Sequence, residues 1–170
     1  MILCDPPWRY DFSPSRIRRI ENQYPTMPTE AICRMEVPSA KDAVLFLWAT
    51  APKLEDALLV MKRWGFRYKS HFVWDKVKLG MGYWARGQHE LLLVGVKGKF
   101  SPPAPSLRIG SVYKSSRGRH SEKPEGIRSL IASWYPAERK LELFARCKTA
   151  DWDAFGNEIV SDVEIATPQG

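Results

Sequence analysis

Cysteine and histidine are scarce in this sequence. Its three cysteines, Cys4, Cys33 and Cys147, are widely spaced, and only three histidines accompany them. No C-x-x-C pair and no Cys/His spacing typical of zinc sites occurs, so we expect neither a disulfide framework nor a metal site. Widely spaced cysteines are typical of reduced thiols and predict a cytoplasmic protein.

Long hydrophobic runs are also missing. The continuous apolar run Ala43–Ala49 is far too short to span a bilayer, which takes about 20 residues. There is no charged-then-apolar secretion signal and no internal repeat. We therefore expect no membrane partner. A length of 170 residues predicts one domain with a substantial core, which we place at residues 1–160, with a flexible tail at 161–170.

Negative charge is in deficit. The chain has 26 Lys and Arg residues against 19 Asp and Glu, which gives a net charge of +7. Such a surplus favours a polyanionic partner such as nucleic acid. Aromatic residues make up 12% of the chain, and base-binding proteins use them for stacking, although a well-packed core would need them too.

The segment Asp5-Pro6-Pro7-Trp8 is the most informative one. It follows the short apolar run Met1–Cys4, which is typical of a buried strand. Two prolines donate no backbone hydrogen bond and fix their own φ, so the chain leaves the sheet stiff and extended. The pattern places a carboxylate, a carbonyl and an indole together beyond the carboxyl end of a strand, where α/β proteins bind ligands.

That group of atoms suits a flat molecule bearing an amine, such as a nucleobase. Asp5 and the Pro6 carbonyl are acceptors for the two hydrogens of an exocyclic amine, and Trp8 offers a ring for stacking. The alternative is an ordinary Pro-Pro turn with Trp8 packed in the core.

The remaining elements alternate between strands and helices. Continuous or alternating apolar residues predict strands, and residues at helical spacing predict helices with proline in their first turns. We expect strands at Ala43–Ala49, Tyr68–Trp74, Glu90–Val96 and Lys140–Phe144, and helices at Pro28–Met35, Thr50–Gly65 and Ser121–Pro136. This order predicts an α/β, Rossmann-like, mostly parallel sheet with helices on both faces.

Three segments are predicted loops: Arg9–Thr26, Lys76–Gln88 and Lys99–Arg119. The first and third carry clustered basic residues that suit phosphate contact or a solvated surface. No Gly-x-Gly-x-x-Gly segment follows any strand, which argues against an ordinary dinucleotide-binding order.

The sequence resembles the Asp-Pro-Pro-Trp family of adenine-N6 methyltransferases. Three further motifs carry the resemblance in the family's order: Ser121-Glu122-Lys123-Pro124, Glu142-Leu143-Phe144-Ala145-Arg146 and Gly156-Asn157. The resemblance implies a permuted fold, with the catalytic strand near the N-terminus and the cofactor strand near the C-terminus. Related amino-methyltransferases carry Asn or Ser in place of the Asp and Tyr or Phe in place of the Trp, and an Asp followed by Trp points to adenine rather than cytosine N4 or glutamine.

The resemblance also implies a cofactor, S-adenosylmethionine, and residues that hold it. Asp5 and Lys123 would lie near its methionine end, and Arg146 and Asn157 near its ribose. Lys148 and Glu158 complete the expected cofactor set, Glu158 standing where the family's messenger-RNA enzyme has Gln.

For the substrate, the resemblance implies three further residues. Tyr24 falls on an aromatic of the substrate-gating loop, and Trp84 and Arg86 belong to the family's Gly-x-Trp-x-Arg segment. Asp5, Pro6, Pro7 and Trp8 would be the catalytic residues.

We therefore expect S-adenosylmethionine-dependent methylation of adenine N6 in DNA. An RNA substrate and a non-catalytic nucleic-acid-binding subunit stay open as alternatives. Members of the family carry a longer segment before the Asp-Pro-Pro-Trp strand, so we also expect a shallower cofactor pocket or one completed in a homodimer or heterodimer.

Overall fold

A computed structural model describes residues 1–10, 25–82, 84–116, 118 and 122–166. These residues form seven strands: β1 Ile2–Cys4, β2 Ala43–Ala49, β3 Arg67–Asp75, β4 His89–Lys97, β5 Val112–Lys114, β6 Leu141–Leu143 and β7 Asp153–Phe155. Three α-helices accompany them: α1 Thr29–Cys33, α2 Leu54–Arg63 and α3 Glu125–Trp134. Two short 3-10 helices lie at Ala51–Lys53 and Pro105–Leu107.

The strands form one sheet in the order β5-β3-β4-β2-β1-β6-β7. Four of its neighbouring pairs are parallel, and only the two pairs that involve β4 are antiparallel. β1 begins the chain yet lies near the centre of the sheet, between β2 and β6. The predicted α/β class and the mostly parallel sheet are confirmed.

The two central strands are buried on both faces. Every residue of β1 and β2 is buried, which fits their continuous apolar sequences. α2 covers one face of the sheet through Ala57, Val60 and Met61, and α3 covers the other through Ile127, Ile131 and Trp134. The helices therefore lie on both faces, as predicted.

Element boundaries differ from the predictions by one or a few residues. β2 has the predicted bounds, β3 and β4 are each one residue longer at both ends, and α1 is shorter than Pro28–Met35. Thr50 precedes the 3-10 helix Ala51–Lys53, not the α-helix directly. Its side chain makes no capping hydrogen bond, and its hydroxyl instead meets the Tyr10 hydroxyl at 2.7 Å.

Two strands were missed. β5 lies inside the predicted loop Lys99–Arg119, and β7 follows the strand expected to be the last. Each has three residues, and β5 pairs only with β3. Periodicity carries little information over so short a segment.

Residues 161–165 of the predicted tail pack against the domain. Asp162 accepts the Ala154 backbone N–H at 3.0 Å, and Ile165 is buried in the cluster beneath α2. The packed part of the chain thus extends beyond residue 160. In the part of the chain that the structure describes, no helix is long and apolar enough to cross a membrane.

The Gly98 turn gives a test of this packing. Gly98 ends β4 with φ of +65°, and a Cβ built there would lie 2.5 Å from the Lys41 carbonyl oxygen. We expect Gly98→Ala to lower the free energy of unfolding by about 1–3 kcal/mol, measured by urea denaturation. Gly110→Ala is the control, because a Cβ there meets nothing within 4 Å. Equal losses in both variants would contradict this account.

Candidate active site

The Asp-Pro-Pro-Trp segment forms a rigid corner just beyond β1. The Trp8 N–H donates to the Pro6 carbonyl at 2.8 Å, and the Met27 N–H donates to the Pro7 carbonyl at 2.7 Å. The Trp8 indole Nε1 donates to the Trp48 carbonyl at 3.2 Å. The turn is therefore fixed by its own backbone, by the segment at residue 27 and by the end of β2.

Trp8 is both a core residue and a wall of the site. Its side chain is only 4% exposed and belongs to the cluster beneath α2. It also lines the cavity described below. Trp8 thus occupies the packed position that is the alternative to stacking. Any stacking would use only the part of the ring that faces the cavity.

The Asp5 carboxylate is held by Lys123. Lys123 Nζ donates to Asp5 Oδ2 at 2.7 Å and lies 3.4 Å from Glu90 Oε2. Glu90 Oε1 in turn accepts from Lys76 Nζ at 2.8 Å. Two carboxylates and two ammonium groups thus alternate in a row. We call Asp5, Lys123, Glu90 and Lys76 the charge row.

The charge row lies at the edge of the protein interior. The Glu90 side chain is 12% exposed and that of Lys123 is 18% exposed. Burial alone lowers the pKa of Lys123, but the Asp5 and Glu90 carboxylates outweigh it, so its pKa lies above the ordinary lysine value. Lys123 is therefore charged at neutral pH, and its Nζ also lies 5.7 Å from the centre of the Trp48 ring.

A cavity of about 230 Å³ opens at this corner. It brings together predicted catalytic and cofactor residues with others from β2 and β4. Its predicted members are Asp5, Pro6, Pro7, Trp8, Lys123, Arg146, Asn157 and Glu158. A second cavity of about 310 Å³ adjoins it and shares the walls Asp5, Trp48, Lys123, Phe144 and Arg146. The first and last strands of the chain thus contribute to one cleft.

The turns after β6 and β7 explain how Arg146 and Asn157 reach the cavity. Phe144 adopts a positive φ of 61° directly after β6, which turns the chain out of the sheet. A Cβ on Gly156 would lie 2.0 Å from the Ala145 carbonyl oxygen, so only glycine allows these two turns to approach. Arg146 and Asn157 therefore line the same cavity, and Arg146 Nε lies 4.0 Å from Glu158 Oε1.

Three described residues of the predicted site do not line the cavity. Lys148 pairs with Asp162 and lines a separate depression beside Arg139 and Asp151. Trp84 is fully exposed, and Arg86 Nε donates to the Gly80 carbonyl at 2.6 Å. Tyr24 lies outside the described residues. The roles predicted for these residues stay predictions.

Sequence reasoning missed Glu90, Tyr10 and Thr50, which all line the cavity. The sequence pattern places Glu90 at the start of a strand and indicates no chemical role for it. The signal was a carboxylate at the start of an otherwise apolar strand. Because β4 runs antiparallel to β2, its start lies beside the end of β2, where Leu91 pairs with Ala49. Tyr10 and Thr50 gave no distinguishing signal.

We expect Glu90→Gln to lower the free energy of unfolding by about 1–3 kcal/mol at neutral pH, because two partly buried lysines lose their shared carboxylate. The raised pKa of Lys123 means that its stabilising contribution is complete below its ordinary pKa of 10.5 and is lost as pH rises through its folded-state value. The difference in the free energy of unfolding between wild type and Glu90→Gln should therefore become smaller in strongly alkaline solution.

Urea unfolding at neutral and alkaline pH measures this difference. Glu36→Gln is the control, because Glu36 is exposed and should give a small difference at both pH values. A Glu90→Gln difference that stays constant with pH would contradict the role of the ion pairs.

Comparisons with known proteins place the chain in a family. Residues 1–158 match the MT-A70 family. The type II methyltransferase M.MunI of Mycoplasma is 35% identical, over 98% of this chain and 81% of that protein. Human N(6)-adenosine-methyltransferase catalytic subunit METTL3 is 28% identical over 94% of this chain, and the Arabidopsis thaliana N(6)-adenosine-methyltransferase MT-A70-like protein is 29% identical over 94%.

The chain spans 28% of the length of human METTL3 and 23% of the Arabidopsis protein, so the likeness to them concerns this domain alone. The family match itself covers all four sequence motifs and every strand of the sheet. The chain belongs to the MT-A70 family of methyltransferases.

Proposed function

We propose that this protein transfers a methyl group from S-adenosylmethionine to the N6 amine of adenine in DNA. The observation that carries the proposal is the shared cavity: the Asp5 corner opens into the same space as Arg146, Asn157 and Glu158. Methyl transfer needs a carboxylate that orients the amine and side chains that hold a nucleoside-like donor. In this chain the two sets of residues come from opposite ends of the sequence.

The residues present fit S-adenosylmethionine. A ribose diol is well held by a carboxylate or an amide, which Glu158 and Asn157 provide. An α-carboxylate is well held by an ammonium or guanidinium, which Lys123 and Arg146 provide. The adjoining cavities of about 230 and 310 Å³ give room for a donor and an acceptor side by side.

When bound, S-adenosylmethionine supplies an electrophilic methyl group on its sulfonium. The chain's part is to prepare the amine, whose lone pair is delocalised into the adenine ring. Asp5 Oδ2 accepts from Lys123, which leaves Oδ1 for one amine hydrogen. The Pro6 carbonyl already accepts the Trp8 N–H and has a second lone pair for the other hydrogen.

These acceptors act by orientation and electrostatics. They direct the nitrogen lone pair and stabilise the positive charge that develops on nitrogen during transfer. The proton leaves afterwards, when the ammonium product is already acidic, so no dedicated base is required. The chain's residues therefore need to position the amine and to tolerate a cation.

Glu90 is a positioning residue in this proposal. It holds Lys123 from the side opposite Asp5, so the ammonium does not rest on the catalytic carboxylate alone. Without Glu90, Lys123 would pair with Asp5 only and compete more strongly with the substrate amine.

DNA is favoured over RNA because the chain matches a larger share of the type II methyltransferase than of METTL3. The type II methyltransferase matches over 81% of its own length, whereas METTL3 matches over 28%. The net charge of +7 supports a polyanionic partner of either kind. A base in a duplex would first have to rotate out of the stack to reach the Asp5 corner. Cytoplasmic location and a dimeric assembly stay predictions.

We expect Asp5→Asn to lower kcat by about 100-fold or more, because Lys123 would occupy the one amide oxygen and the NH₂ left to face the substrate amine is a donor. Circular dichroism should show an unchanged fold. Asp151→Asn is the matched control, since Asp151 is exposed and its φ of 65° suits Asn. Full activity of Asp5→Asn would refute the proposed role, and methyl-transfer inactivity of the wild type with retained nucleic-acid binding would favour the non-catalytic subunit.

The substrate is tested with matched DNA and RNA oligonucleotides. After incubation with protein and S-adenosylmethionine, mass spectrometry of the released nucleosides should find N6-methyl-deoxyadenosine in excess over its ribose counterpart. An excess of the ribose product would replace DNA with RNA in the proposal. Methylation only at cytosine would contradict the assignment of the amine.

A further inference from the structure

A separate cavity, of about 510 Å³, lies at the end of the sheet opposite the active-site cavity. Its floor is the sheet face formed by β2, β3 and β4. Phe46 in this floor is two residues from Trp48 along β2, so about 7 Å of strand separates it from a wall of the active-site cavity. The volume is in the range of small-molecule sites. We call this the distal cavity.

The fold explains why this part of the sheet is open. α3 packs on the same face through Ile127 and Ile131, beside Met1 and Leu3 of the first strand. Only Trp134 and Tyr135, at the end of α3, reach the distal cavity. The segment 100–111 covers the rest, and its prolines at 102, 103 and 105 prevent regular backbone pairing.

Aromatic rings form the walls of the distal cavity. Trp134 and Phe72 have ring centres 5.6 Å apart, and Phe100 and Tyr135 meet edge to face at 5.0 Å. Among the described residues, the indole Nε1 of Trp134 is the one buried side-chain polar atom without a hydrogen-bond partner. Trp134 is 7% exposed, and its Nε1 is closed off from the cavity.

The charged groups at the cavity are basic. Lys69 and Arg108 line it, and its described lining residues include no carboxylate. Arg108 Nε donates to the Pro103 carbonyl at 3.1 Å, which holds the guanidinium at the rim. Burial raises the pKa of Tyr135 to about 12, so its hydroxyl is neutral at physiological pH. Its O–H donates to the Ser101 carbonyl.

We propose that the distal cavity binds an aromatic anion, with its ring system between the Trp134 and Tyr135 walls and its anionic group beside Arg108 and Lys69. Ring stacking and charge-assisted hydrogen bonds to a guanidinium are the interactions that this combination of residues provides. The site is separate from the charge row and does not depend on the proposed methyl transfer.

The probe is the fluorescent dye anilinonaphthalene sulfonate, titrated into the folded full-length chain. We expect saturable binding of one dye per chain, weakened about tenfold in Arg108→Gln, the loss expected for one charge-assisted hydrogen bond. Arg34→Gln is the matched control, because Arg34 is an exposed arginine directly after α1 that does not line the cavity. It should bind the dye as the wild type does.

Two further arms separate the ring contacts from the charge. Phenylnaphthylamine, the same ring system without the sulfonate, should bind equally to wild type and Arg108→Gln. Val94→Phe, which adds a ring to the cavity floor, should abolish dye binding while its unfolding transition stays cooperative. Asp5→Asn should keep full dye affinity, so failure of the methyl-transfer proposal is distinguishable from failure of this one.

Competition identifies the source of the anion. Displacement of the dye by adenosine monophosphate supports a nucleotide, and displacement by naphthoate alone supports an aromatic carboxylate. The proposal is overturned if neither displaces the dye, if Arg108→Gln and Arg34→Gln bind it equally, or if Val94→Phe leaves binding unchanged.

Discussion

The site depends on the ion pair between Lys123 and Asp5, with Glu90 on the other side of the ammonium. A carboxylate in a half-buried corner needs a nearby cation to stay charged without a large desolvation cost. A lysine paired with that carboxylate alone would compete more strongly with a substrate amine for it. Glu90 lies 3.4 Å from Lys123 Nζ and is itself paired with Lys76, so the ammonium is attracted to two carboxylates instead of one. The charge row is neutral as a whole.

The sheet topology places these four charges together. Asp5 follows β1, and Lys123 lies just before α3, which packs over β1 and β2. Lys76 follows β3, and Glu90 begins β4. Since β3 and β4 are antiparallel, the end of one lies beside the start of the other, as the pairing of Asp75 with His89 shows. Residues 118 positions apart in sequence thus form a 2.7 Å contact.

The sequence predicted the apolar framework and the corner well, because both are local. A continuous apolar run such as Ala43–Ala49 specifies a central strand, and two prolines after Cys4 specify an extended exit. Lys148, Trp84 and Arg86, the three described residues that do not line the cavity, lie in exposed or irregular segments. Lys148 is a cation close to Arg146 in sequence, but it pairs with Asp162, which comes from a segment with no periodic pattern. Side-chain type therefore predicts a residue that lines the cavity only where the neighbouring backbone is fixed, as at Gly156.

The antiparallel direction of β4 also explains why the sequence pattern does not indicate Glu90 and why Glu90 nevertheless lines the cavity. In a purely parallel sheet, residues at the start of a strand lie on the edge opposite the ligand, where a carboxylate would have no contact with Asp5. One reversed strand brings its first residues to the ligand edge, and pairing of Leu91 with Ala49 fixes that register. A shift of the register by one residue would turn Glu90 to the other face of the sheet and leave Lys123 with Asp5 alone. The charge at the corner is therefore set by the pairing of β2 with β4 as much as by the Asp-Pro-Pro-Trp segment itself.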